Sequence, residues 1–553
     1  MAETVVDRPA AAGPLSPGRL RVALIAALTV AALLPVLSIR RMPTPFADVQ
    51  LYASIARARQ LYGVGVPTII WNSPLAVDHI PFYGPVYFDL AALALRMFGV
   101  SLWSFRLVSL LGAGVYALAT ALLARQFTGS RNRVLLAALL ALLTPEVNLG
   151  AASGAMHMLA VGLEVLALAA FVTNVDRGRG VEWGVMAGLC LALAALTTPR
   201  TYPMVLAFMS AGCVAMMTRG SRDAMAYRFL AAVVAFLGVM LFWTVISHGG
   251  PGAWLHYMAY ISTHEDTDVA LLPTAERNFS FHLSGVLTPG VAVVCGLAAA
   301  WSIRKLRGAT TPGAAGEAAR RAGLSFLLSC VWIDLVVTVA ALNYTFTIGE
   351  YIALPLFSVI VAWPWGRLVV SRRMAAAGVC ALLCLDSLHV ALRYVSVAPV
   401  WASHDPSRID AFIARHVPRG STVVGPDEPF FFAVERNGSR YRVISTRSWA
   451  DWARWVPVIE PAATAAPRKY PAEPPGERFL LWPDGEDMPD TYRCVERARV
   501  ATFDAPPPDT RWPAWVLARS LSHADPGYPS AVLYRLPDGC PRGYDPTRPP
   551  RVR

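Results

Sequence analysis

Apolar positions along the first 396 residues come in long unbroken runs, each of the length that crosses a bilayer. A membrane core takes about 20 consecutive apolar residues per helix. On that measure the runs predict spans at about 20–39, 104–125, 133–150, 152–174, 181–198, 201–218, 228–247, 285–303, 322–342, 350–370 and 374–396, which is about eleven. The stretch 85–99 is apolar too and reads equally as a further span or as an interfacial helix, so the count is eleven, give or take one. Ser38–Met42 offers no small-residue cleavage site, and the first run is too long for a signal peptide, so it is read as a retained helix. After residue 397 the pattern changes. DPSRIDAFIARHV places Ile409, Phe412, Ile413 and His416 at helical spacing, and STVVGP, RFLLWP and AVLYRLP read as short strands. The predicted architecture is an all-α polytopic membrane domain over 1–396 and an α/β domain over 397–553, with a Pro-, Ala- and Glu-rich loop at 457–477.

Composition narrows the class. Of the 553 residues, 55% are hydrophobic and 16% charged, with mean hydropathy +0.44. A soluble surface takes roughly 25% charged residues, so a string of soluble domains is excluded, as are disordered and fibrous chains. The net charge of +12 comes almost entirely from Arg, since Lys305 and Lys469 are the only lysines. Those arginines cluster in alternate connections: Arg8, Arg19 and Arg21; Arg125, Arg131 and Arg133; Arg177 and Arg179; Arg219, Arg222 and Arg228; Arg304 to Arg321; Arg367 to Arg373. The intervening short connections hold only Arg200 and Arg277. Positive charge marks the cytoplasmic side, which puts the N-terminus inside and both the loop 40–103 and the tail outside. The charge is thus an orientation signal and implies no nucleic-acid partner. The Ala- and Arg-rich composition suits a GC-rich bacterial genome, hence a bacterial cytoplasmic membrane.

The loop 40–103 carries the candidate chemistry. It opens with PTPFADVQLYASIARARQLYG, a Pro-rich lead into a helix at Asp48, and closes with HIPFYGPVYFDLAALALRMFGVSLWSFRLVSLLGAG. A water-exposed loop has no cause to be so apolar, whereas a helix lying in the membrane interface does. An acidic residue is thereby held at lipid head-group level beneath an apolar lid. Arg40, Arg41, Arg106 and Arg200 lie near the same face, where guanidinium can grip phosphate bidentately.

In this order and topology the sequence resembles the GT-C superfamily of membrane glycosyltransferases, nearest to bacterial relatives of protein O-mannosyltransferases and the lipid A aminoarabinose transferase. The likeness is best over about 40–200, with support from EYIALPLFSVIVAW, similar to the family's Tyr-Leu-Leu-Pro helix, which begins at Tyr351. The resemblance implies transfer of a sugar from a polyprenyl phosphate to a glycan, lipid or protein acceptor on the outer face, with inversion. It implies that Asp48 is the catalytic acid position, that Phe105-Arg106-Leu107 is the Arg-Leu helix start, and that His79, Pro81 and Tyr83 fall on a His-Pro-Pro-aromatic stretch. Two departures stand out: Val49 follows Asp48 where many members have a second acid, and TPEVNLGAASGAMHML leaves only Glu146 or His157 as a further acid–base group. With those acids missing, a divalent metal ion is an open alternative and no cofactor is assigned.

Other readings compete. Asp48 could serve as a helix N-cap, Arg106 could anchor a span end by snorkelling, and Arg40 and Arg41 could bind lipid head groups. Glu164, Asp334 and Asp386 within spans suit a proton-coupled transporter, although repeated halves are lacking. A membrane-anchored ligand-binding protein would account for the tail but not for Asp48 and its lid. The HEDTD segment in the loop 248–284 reads as a solvated loop, and Cys380 and Cys384 as small apolar residues. Cys494 and Cys540, outside the spans in an oxidising compartment, predict a disulfide.

Overall fold

The computed structural model describes residues 17–42, 47–63, 84–173 apart from 129, 180–217, 222–255 apart from 249 and 253, 322–334 apart from 332, 372–426, 430–443, and 476–537 apart from 486–487, 489, 496–497, 515 and 517–526. The helices are α1 (Pro17–Ser38), α2 (Ala47–Tyr62), α3 (Pro85–Phe98), α4 (Leu102–Phe127), α5 (Arg131–Leu143), α6 (Pro145–Ser153), α7 (His157–Val172), α8 (Val181–Ala195), α9 (Tyr202–Met217) and α10 (Arg222–His248). They continue as α11 (Ala322–Val331), α12 (Arg372–Val397), α13 (Pro406–His416) and α14 (Phe431–Arg436). Among the described residues, α1, α4 and Met225–Ile246 of α10 are each long and apolar enough to cross a membrane. The predicted span 133–150 is broken: Pro145 lacks the N–H that would continue α5, so α6 starts there and the pair bends by 59°. The predicted spans 285–303 and 350–370 lie outside the described residues, as does the HEDTD segment.

Helices in lipid gain little from the hydrophobic effect between themselves and rely on close packing of small residues. Gly112 of α4 faces the backbone of Leu159 in α7, where an added Cβ would collide with the Leu159 nitrogen, and a Cβ on Gly162 would in turn lie 2.6 Å from the Gly112 carbonyl oxygen. Gly184 and Gly188, one turn apart on α8, lie against the carbonyls of Arg228 and Ala232 in α10. Polar side chains add cross-ties. The Tyr394 hydroxyl of α12 donates to Asn148 Oδ1 (3.1 Å), and Asn148 Nδ2 donates to the Ala31 carbonyl of α1 (3.3 Å).

The two ends of this helix set are tied differently. At one end Arg21 meets Asn132, and the fully buried Arg228 donates through Nη1 to the Phe171 and Thr173 carbonyls (2.5 and 2.7 Å), closing the C-terminus of α7. At the other end lie the C-termini of α1, α6 and α8 and the start of α4, overlaid by α2 and α3.

The tail forms a five-stranded sheet in the order β2-β1-β3-β5-β4, from β1 (Thr422–Gly425), β2 (Arg440–Val443), β3 (Arg478–Pro483), β4 (Arg499–Phe503) and β5 (Ala531–Arg535). β2, β1 and β3 run parallel, while β5 pairs antiparallel with β3 and β4. Strand alternation sends Val423, Phe479 and Leu481 to one face and Val424, Leu480 and Trp482 to the other. The first face is covered by Ile409 and Ile413 of α13 and by Phe431 and Val434 of α14, all buried. The expected helix and three expected strands are present; β2 and β4 are additional. Cys494 is disulfide-bonded, and its expected partner Cys540 lies outside the described residues.

Candidate active site

The described residues that the sequence nominated near a lipid head group come from the end where α1 stops and α4 starts, apart from Glu146, which opens α6. The assembly there is built on helix termini. Ser101 caps α4 by accepting from the Ser104 N–H (3.2 Å). Arg106, in the next turn, is fully buried. Its Nη1 donates to the carbonyls of Ile39 (3.0 Å) and Met42 (3.1 Å), so the guanidinium ties down the turn that leaves α1. Tyr87 of α3 donates to the Gly154 carbonyl (2.5 Å) and Ser109 of α4 to the Ala155 carbonyl (2.8 Å), which fixes the turn between α6 and α7. That turn needs glycine: Gly154 has φ +80°, and a Cβ there would press on the Phe105 ring at 3.0 Å. The start of α3 is joined to the end of α8 by the Val86 N–H and the Leu196 carbonyl (3.3 Å).

Asp48 is the second residue of α2, three positions beyond Pro45, and so sits in the first turn of the helix. α2 lies on α3 through Tyr52 and Phe88, whose ring centroids are 6.2 Å apart, and through Arg59 and Asp89 (3.0 Å). His157 opens α7 and is half-buried, Glu146 is the second residue of α6, and Arg200 lies in the 3-10 turn Pro199–Thr201. His79, Tyr83 and Tyr351 lie outside the described residues.

The two arginines after α1 have different surroundings. Arg40 is exposed and stacks over Trp103, 5.8 Å from the ring centroid. Arg41 stacks on Trp401 at 5.1 Å and pairs with Asp405 at 3.0 Å. Asp405 caps α13 by accepting from the Ser407 N–H (3.0 Å). Burial works against its charge, but the Ser407 hydrogen bonds and the Arg41 and Arg408 charges outweigh that and hold its carboxyl below the ordinary value. Asp410, one turn on, is pushed the other way by burial, which its partner Arg436 only partly offsets. Tyr528, buried in the same junction, has its hydroxyl raised by burial and feels the charges of Arg106, Asp410, Arg436 and Asp405.

Sequence reasoning did not find this junction. Arg41 meets Trp401 and Asp405 only across 360 and 364 residues of chain, which no local motif signals. Among the described residues no three His, Cys, Asp or Glu side chains gather as a metal site. Of the intramembrane acids, Glu164 of α7 and Asp334 are both buried and close enough to interact, while Asp386 of α12 is half-buried.

Residues 81–248 match the family described as dolichyl-phosphate-mannose-protein mannosyltransferase. The crystal structure of ArnT from Cupriavidus metallidurans bound to undecaprenyl phosphate is similar over 95% of this chain and 99% of its own, with a TM-score of 0.55 and 14% identity. AglB from Archaeoglobus fulgidus, in complex with an inhibitory peptide and a dolichol-phosphate, gives a TM-score of 0.45 at 13% identity over 84% of this chain and 69% of its own. Arabinosyltransferase EmbB from Mycobacterium smegmatis gives 0.42 at 15% identity over 83% of this chain and 38% of its own. No curated protein matches the sequence. The ArnT likeness shows a shared fold that takes in both the helical part and the tail.

Proposed function

We propose that this chain is a membrane glycosyltransferase of the GT-C superfamily, a reading its family match and its fold support, and that it moves a sugar from a polyprenyl-phosphate donor to an acceptor at the outer face of a bacterial cytoplasmic membrane. One observation carries this reading. The first turn of α2, with Asp48, lies just beyond the end of α1, at the one pole of the helix set where Arg40 stands exposed on an interfacial tryptophan. Nucleotide sugars are absent outside the cytoplasm, so a transferase acting there draws on a lipid-linked sugar. Its phosphate would lie at head-group depth, the level of Trp103 and Trp401, because indole side chains prefer that layer.

Asp48 then takes the acceptor proton as the acceptor oxygen attacks the anomeric carbon, and the polyprenyl phosphate departs. A single base and direct displacement give inversion. Arg40 is the group we assign to the departing phosphate, where a preorganised cation lowers the barrier. Arg41 and Arg106 are occupied, the first by Asp405 and the second by the turn after α1, and they hold the site's walls. Glu146 and His157 remain the reserve acid–base candidates.

The test is transfer from polyprenyl-phosphate mannose, and in parallel a comparison of intact envelope glycan and lipid masses with and without the gene. A hexose or pentose missing from one glycan or lipid supports the proposal. Unchanged glycans with altered solute uptake would transfer the assignment to a transporter working through Glu164 and Asp334.

A further inference from the structure

α14 is a six-residue helix in the tail, and it gathers three parts of the platform at the membrane. Glu435 Oε2 accepts from Arg57 Nε of α2 at 3.2 Å across 378 residues of sequence. The next residue, Arg436, donates through Nε to the Val100 carbonyl in the turn between α3 and α4 (3.0 Å) and pairs with Asp410. Phe432 packs its ring 5.8 Å from that of Phe105 in α4.

The Arg57–Glu435 pair differs from a surface ion pair. Its side chains are 15% and 5% exposed, so water screens it little. Both carboxylate oxygens are in use: Oε1 accepts from the Tyr441 N–H of β2 (3.2 Å) while Oε2 faces α2. The guanidinium is oriented as well, because Arg57 Nη1 donates to Gln60 Oε1 at 2.7 Å. The carboxylate is therefore aimed by the sheet and the guanidinium by α2. A second pair, Arg41–Asp405, lies on the other side of Asp48, seven residues before it, whereas Arg57 is nine residues after it, about 13 Å along the helix.

We propose that Glu435 and Asp405 are positioning residues for the transfer reaction, through which the tail clamps both flanks of the segment carrying Asp48. This rests on the functional reading above. The tail's role is then to fix α2 relative to α4, so that the base meets the acceptor at reacting distance. Misplacement of a reacting group by about 1 Å costs on the order of 100-fold in rate.

The experiment uses the full chain in lipid nanodiscs. Glu435→Gln keeps an oxygen for the Tyr441 N–H and removes the charge opposite Arg57. Amide exchange in peptides covering 47–58 should quicken by about tenfold while α7 and α8 stay unchanged. Turnover with polyprenyl-phosphate mannose should fall about 10- to 100-fold, with the donor KM within about threefold of wild type. Arg57→Glu combined with Glu435→Arg restores the ion pair but leaves the Tyr441 N–H without its acceptor, so it should recover part of both readouts relative to either single reversal, which simple attachment of the tail does not predict. Glu435→Asp, which shortens the reach, should shift both in the same direction and serves if the Gln variant is not monodisperse. Unchanged exchange over 47–58 in a folded Glu435→Gln would overturn the proposal, as would uniform acceleration across every helix. A wild type silent toward this donor would count against the functional reading alone, because the exchange measurement requires no turnover.

Discussion

Replacing Arg106 with Met separates two roles for a cation that the sequence alone reads as a phosphate grip. In the structure its Nη1 serves two carbonyls, Ile39 at 3.0 Å and Met42 at 3.1 Å, and the residue is fully buried. Methionine fills much of the volume but donates nothing. Two buried carbonyls then lose a donor, at roughly 1–3 kcal/mol each, or about 2–6 kcal/mol together. The variant also no longer has to hold a desolvated cation, which returns a few kcal/mol of that cost. A net loss of about 2–3 kcal/mol is expected. Arg106→Lys keeps the charge and serves one carbonyl well, so about 1 kcal/mol should go. Unfolding of monodisperse protein in one detergent, followed by intrinsic fluorescence, measures both. Turnover should drop with stability, because the freed turn leads into α2, while the donor KM stays nearly constant. A Met variant with wild-type stability and a raised donor KM would refute this reasoning and put the guanidinium on the donor phosphate.

Four further outcomes are expected. Asp48→Asn should keep yield and folding yet lose about 10²–10⁴-fold in transfer; activity within a few fold of wild type would move the base to Glu146 or His157. Gly188→Val drives a side chain into the Ala232 carbonyl, so α8 and α10 must part, at about 1–3 kcal/mol, read as a lowered unfolding midpoint. Asp405, with its carboxyl held below the ordinary value, contributes stability that is complete above its unfolded pKa and is lost as pH falls through the lower folded value. Asp405→Asn should therefore flatten the acid side of the stability profile and leave the neutral side lower, which unfolding at a series of pH values will show. Alkaline phosphatase fused near Gly420 should be active and a fusion at Gly313 inactive; the reverse would invert the orientation.

Long apolar runs made the helices legible, because length and hydropathy alone require them. The breaks were harder to read. A single span was expected over 133–150, yet Pro145 divides it, and the span expected over 152–174 begins only at His157 because Gly154 turns the chain. In the tail, RFLLWP and AVLYRLP were plain, whereas RYRV and RVATF carry arginines that mask strand pattern; Arg442 is in fact buried within β2. The site was legible as a list of charges near one end, but not in its division of labour. Whether an arginine meets substrate or backbone depends on carbonyls 64 and 67 residues away for Arg106, and on a carboxylate 364 residues away for Arg41. No local pattern encodes such partners.

The separation between Arg57 and Glu435 also sets a schedule. Ribosomes add about 5–20 residues per second, so the 378 residues between the partners take on the order of 20–75 s to make. During that interval α1 to α4 are in place while the helix that fits against them does not yet exist. Phe105, Arg57 and the Val100 carbonyl must wait for the last quarter of the chain to be made. The platform is therefore completed late, and a nascent chain stalled before residue 430 would hold α1 to α13 without the helix that meets α2 and α4.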